Sequence, residues 1–152
     1  MGRLYTAVFE AVAITVVQDL FQITMAAAVN ARLHHLYLHQ TNLTVQEILS
    51  IKIHRGSTNG SGGGTNPIGR ATITGPHLGN SDATVEINNT TQSTEGDILL
   101  LRGWNVLVDF EWLATPDFQI GIPGSGQLNI ELNHAPDASM TASGEVGWEE
   151  EG

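Results

Sequence analysis

Apolar and polar residues alternate with a period of two along most of the chain. Val85 and Ile87 alternate with Thr84, Glu86 and Asn88; Trp104, Val106, Val108, Phe110 and Trp112 with Asn105, Leu107, Asp109 and Glu111. Leu128, Ile130 and Leu132 alternate with Asn129, Glu131 and Asn133, and Met140, Ala142, Val146 and Trp148 with Ser139, Thr141, Ser143, Glu145 and Glu149. Successive side chains of a strand point to opposite faces, so each stretch predicts a strand with one buried face. No segment carries a convincing helical stripe. The alanine-rich Met25–Ala31 lies between two strand-like runs and reads as a connection.

Turn signals separate these runs: Thr41-Asn42, Gly75-Pro76, Gly79-Asn80, Thr115-Pro116-Asp117, Pro123-Gly124-Ser125-Gly126 and Pro136-Asp137. About eight strands result, over roughly 4–17, 20–24, 32–41, 46–54, 83–88, 97–112 with a break at Gly103, 127–134 and 139–149. That pattern predicts an all-β, antiparallel two-sheet sandwich of jelly-roll type. The 152 residues form a single domain, 1–152, of a size that buries a core without staples.

The first run is unusual because both parities are apolar. Leu4, Val8, Val12, Ile14 and Val16 share one; Tyr5, Ala7, Phe9, Ala11, Ala13 and Val17 share the other. One face packs on the core, and the other needs a loop of the same chain or a neighbouring subunit to cover it. Tyr5, Val8, Phe9, Val12, Ile14 and Val16 are therefore interface candidates.

Composition narrows the function classes. The net charge is −10, with Lys52 the single lysine beside five arginines. Such a surface repels nucleic-acid phosphates and anionic membranes, so neither is expected as a partner. No run is apolar and long enough to span a bilayer. The chain has no cysteine, which removes disulfides, thiolate metal sites and a cysteine nucleophile.

The candidate chemistry is sparse. The stretch IHRGSTNGSGGGTNPIGR contains a glycine-rich run, but no lysine and no helix follow the glycines, so it lacks a P-loop's parts. It reads as a long exposed loop at 55–70. Its bracketing arginines, Arg55 and Arg70, are further interface candidates. In RLHHLYLHQ, strand alternation puts His35, Tyr37 and His39 on one face and His34 on the other, with His54 expected across a hairpin that turns near Asn42. Histidines at i and i+4 in a strand lie about 13 Å apart, too far to share a metal. No metal ligand set is assigned.

The enzymatic jelly rolls, the cupins, pair a His-x-His motif and a Glu with a later His, and this chain has neither spacing. No Gly-x-Ser-x-Gly elbow occurs. Asp109 and Glu111 are spaced like a glycosidase pair, about 6.6 Å apart, but that spacing is common on any polar strand face. Glu149–Glu151 reads as a solvated end. Trp104, Trp112 and Trp148 fall on apolar parities and are expected in the core rather than in a sugar-stacking platform. The expectation is therefore no catalytic residue, no cofactor and no enzyme.

Five segments carry a family resemblance: RLYTAVFEAVAITVVQDLFQIT, EILSIKIHRGSTNGSGGG, ATVEINNTTQS, WNVLVDFEWLATPDFQI and SMTASGEVGWEEEG. In order and local wording the chain resembles small virion structural proteins of tailed bacteriophages. The resemblance implies a jelly-roll decoration, or cement, protein on the capsid exterior. It would be made in the host cytoplasm and located in the virion, with a homotrimer and the major capsid protein as partners. A tail-associated or glycan-binding jelly roll is the alternative.

Overall fold

The structure is a computed structural model and describes residues 2–42, 46–70 and 80–151. The strands are β1 (Arg3–Ile14), β2 (Gln18–Met25), β3 (Asn30–Gln40), β4 (Ile48–Gly56), β5 (Gly64–Thr65), β6 (Gly69–Arg70), β7 (Ala83–Asn89), β8 (Glu95–Asn105), β9 (Phe110–Leu113), β10 (Ile120–Ile122), β11 (Gln127–Leu132) and β12 (Met140–Glu151). They form two six-stranded antiparallel sheets. Sheet A has the order β10-β3-β12-β1-β6, with β9 also on β3; sheet B has the order β5-β7-β2-β11-β4-β8.

The connectivity is that of a jelly roll. β1 to β4 alternate between the two sheets, and each pairs with a strand from the far half of the chain. β1 pairs with β12, β2 with β11, β3 with β10 and β9, and β4 with β8. This is a long hairpin rolled up on itself, as expected from many short strands with crossing loops. β5, β6 and β7 are additions on the other side. Between the sheets pack Phe9, Phe21, Leu36, Ile51, Ile130 and Trp148, all at most 2% exposed. Trp104 and Trp112 are buried as well.

A bulge explains the two-sided apolar pattern of β1. Phe9 faces Gly144 and Val12 faces Ala142, so β1 carries one residue more than β12 over this span. Ala11 sits there at φ 50°, and its N–H donates to Ser143 Oγ at 2.9 Å. One inserted residue flips the parity of everything after it. Tyr5, Ala7 and Phe9 point inward before the bulge, and Ile14 points inward after it. The two apolar parities thus serve one core in succession. Tyr5, Phe9 and Ile14 lie in the chain's own core, Val12 is half-buried, and Val8 and Val16 are exposed.

A second bulge corrects the histidine reading. Gly147 faces His35 and Trp148 faces Leu33, which leaves His34 as the extra residue of β3. Both histidines consequently reach β12 carboxylates: His34 Nε2 lies 3.1 Å from Glu149, and His35 Nε2 lies 3.0 Å from Glu145. They do not point to opposite faces. β3 and β4 lie in different sheets, so His54 is not across a hairpin from His39. Of the C-terminal glutamates, Glu151 is exposed as expected, but Glu150 is not part of a solvated end. β12 runs to Glu151, and Glu150 is fully buried, accepting from the Asp82 N–H at 3.1 Å and from Trp148 Nε1 at 3.3 Å.

Candidate functional site

Sheet B has an unusual middle. β2 and β11 are buried on both faces, apart from half-buried Thr24. One face of β11, with Leu128, Ile130 and Leu132, meets the core. The other carries Gln127, Asn129 and Glu131, all buried. Polar side chains under cover need hydrogen-bond partners, and the glycine-rich segment supplies many of them. Gly60 N–H donates to Gln22 Oε1 at 2.8 Å, Gln127 Nε2 donates to the Thr58 carbonyl at 3.3 Å, and Gln127 also bonds Asn129 at 2.9 Å.

The run is exposed at most positions, as expected, but it is not a free loop: it forms a roof over sheet B. After Gly56 it crosses the sheet's outer face, bridges Ser61 to Thr91, adds β5 to β7, and ends as β6 on β1. Gly60 is buried. The glycines permit contact: a Cβ on Gly63 would lie 2.1 Å from the Ile87 carbonyl oxygen, and one on Gly60 would lie 2.7 Å from that of Thr91. Arg55, at the rim where the roof begins, is half-buried, with Nη1 buried and unpartnered.

Beneath this roof, four titratable side chains converge. Lys52 and His54 lie two residues apart on β4, facing the same way. Register places Glu131 of β11 opposite Lys52. On the far side, β2 carries one extra residue, because Phe21 faces Ile130 while Asp19 faces Glu131. That bulge brings Asp19 onto the face of Glu131. Asp19 and His54 are fully buried, Glu131 is 4% exposed and Lys52 6%.

Glu131 is the hub. Its Oε1 lies 2.9 Å from Lys52 Nζ, and its Oε2 lies 3.1 Å from His54 Nε2. Lys52 also pairs with Glu95 at the sheet edge. His54 Nδ1 faces the Arg55 carbonyl at 3.1 Å. Asp19 Oδ2 accepts from the Ser93 N–H at 2.8 Å, while its Oδ1 is buried without a partner.

Burial works against ionisation throughout. It raises the Asp19 carboxyl above its ordinary value, and the Ser93 N–H offsets it only in part. For His54 burial lowers the pKa, but Glu131 and the Arg55 carbonyl outweigh it and the net shift is upward. For Glu131 burial raises the pKa, but His54 and Lys52 outweigh it and the carboxyl is held below its ordinary value. Burial also opposes the Lys52 charge, and Glu95 and Glu131 outweigh it.

This cluster was not legible in the sequence. Asp19 falls outside the expected strand 20–24. No ligand set was assignable from sequence, and the register of β2, β11 and β4 is what brings Asp19 and Glu131 to His54. The other candidates stay apart. Asp109 and Glu111 are exposed, and Glu111 of β9 lies opposite Tyr37 of β3. Arg70 lies in β6, opposite Tyr5 in register.

A second feature lies at the edge of sheet B. β8 is its last strand, and among the described residues nothing pairs with its outer edge. Ile98 and Leu101 on β8 are 52% and 56% exposed; toward the other end of the strand, Ile48 of β4, opposite Asn105, and Val108 beyond β8 are 69% and 62% exposed. An open edge with apolar side chains is a template for association. Among the described residues no helix is long and apolar enough to cross a membrane.

No family model and no curated protein matches the chain. Among solved structures there is a match to infectious bursal virus derived T=1 particles, at 13% identity and a TM-score of 0.15, covering 97% of this chain. The chain spans 40% of the length of that viral chain, and a likeness this low carries no argument about fold or function.

Proposed function

We propose that the chain is a virion structural protein, a capsid decoration (cement) protein that sits on the particle exterior as a homotrimer. The observation that carries this reading is the open, apolar edge of β8, where Ile98 and Leu101 stand exposed. A protein with no neighbour gains nothing from such an edge, whereas a particle component uses it against the shell. The phage-like segment order and the closely packed jelly roll support the same reading. So does the net charge of −10, which keeps the rest of the surface soluble. In this reading the major capsid protein is the partner and the chain is a building part, not an enzyme. The glycan-binding alternative loses its platform, because Trp104, Trp112 and Trp148 are all buried.

The test is association. Light scattering should give a trimer, and the protein should co-sediment with capsids of its parent phage. Ile98→Glu with Leu101→Glu should abolish co-sedimentation. A monomer that never sediments with capsids would overturn the reading.

A further inference from the structure

Asp19, His54 and Glu131 each offer one ligand-type atom, and these atoms lie within 4.8 Å of one another. Two observations bear on whether the cluster holds more than an ion pair. The first is the tautomer of His54. Its Nδ1 faces a carbonyl oxygen, which only accepts, so Nδ1 carries the hydrogen. In the neutral ring Nε2 is then a bare lone pair, 3.1 Å from an acceptor oxygen of Glu131. Two acceptors that close need a proton or a metal ion between them. A ring N–H held by a backbone carbonyl is also the usual support of a metal-ligating histidine. The second is Asp19 Oδ1, which is fully buried and has no hydrogen-bond partner. Such an oxygen is costly unless something positive meets it.

We propose that Asp19, His54 and Glu131 bind a divalent transition-metal ion, zinc by ligand type, through the two carboxylates and Nε2. Charge balance favours a dication. With His54 neutral, as a metal-ligating imidazole must be, Asp19, Glu95 and Glu131 against Lys52 leave two negative charges, which one divalent ion cancels. One imidazole and two carboxylates suit zinc with a fourth position for solvent, whereas calcium takes six to eight oxygens. Binding exchanges the ion for any proton on His54 Nε2, which leaves to solvent. The ion ties β2, β11 and β4 together under Gly60 and Ser93. This inference is independent of the particle reading.

The experiment uses the full chain, unfolded, stripped with EDTA and refolded with zinc chloride or with EDTA. Elemental analysis after gel filtration should find one zinc per chain, and melting should rise by several degrees in zinc. Asp19→Asn and Glu131→Gln should each lose the zinc and the shift. The surface double variant His34→Ala with His35→Ala should keep both. Cobalt refolded into the unaltered chain should absorb in the visible like a low-coordinate nitrogen/oxygen site, a readout that needs no variant. Metal-free refolded protein with identical melting in zinc and EDTA would sink the proposal. So would zinc that leaves with His34 and His35, or cobalt with the spectrum of the hydrated ion.

Discussion

Glu131 Oε2 lies 3.1 Å from His54 Nε2, and the same carboxylate holds Lys52 through its other oxygen. One side chain on β11 therefore serves two cationic groups of β4. Removing its charge strands His54 under the roof and leaves Lys52 with Glu95 alone. Glu131→Gln should cost about 3–5 kcal/mol, the usual consequence of breaking a buried ion pair from one side. Urea unfolding of protein kept in EDTA should show it; a loss under about 1 kcal/mol would mean that water reaches the cluster.

The pH profile of metal-free protein carries the same signature. The folded Glu131 pKa lies below 4.5, so its contribution is present above 4.5 and fades as pH falls through the folded value. The folded His54 pKa lies above 6.5, so its contribution is complete below 6.5 and fades as pH rises through the folded value. The raised Asp19 pKa opposes Glu131 on the acid side and makes that limb shallow. Stability in EDTA should peak between these limits and decline toward alkaline pH, and His54→Gln should flatten the alkaline decline. Thermal melting across pH reads both.

The roof offers an internal control. A Cβ on Gly63 would meet the Ile87 carbonyl at 2.1 Å, whereas one on Gly64 would meet nothing within 4 Å. Gly63→Ala should lift the segment, cost about 1–3 kcal/mol and open residues 57–63 to proteolysis. Gly64→Ala should leave stability within about 0.5 kcal/mol. Equal effects would mean that the segment does not rest on β7.

Ala11 tests the bulge. It holds φ 50°, a conformation that costs a residue with a Cβ about 1–2 kcal/mol. Glycine removes that strain and returns about 0.5–1 kcal/mol to the unfolded chain. Ala11→Gly should therefore be neutral to stabilising by about 0.5 kcal/mol, while Ala11→Val should destabilise. The urea midpoints of the two variants give the ordering.

Period-two alternation located most of the long strands, because the pleat imposes it and a buried face must be apolar; the alternation over 97–112 misled, since β8 runs through Gly103 to Asn105, a turn follows, and Val108 is exposed. Val85, Leu128, Ile130 and Val146 were readable on that ground alone, as were the burial of Trp104, Trp112 and Trp148 and the jelly-roll class. What alternation does not carry is register. The extra residues in β1, β2 and β3 shift phase without leaving a sequence mark, since Ala11, Leu20 and His34 are ordinary at a glance. Those slips decided which apolar parity of β1 is inside, turned His34 and His35 both toward β12, and brought Asp19 onto the face of Glu131. The glycines of 55–70 likewise announced backbone freedom in the sequence. Only the tertiary structure decided that several of them serve close contact, because a missing Cβ has meaning only against the strand it touches.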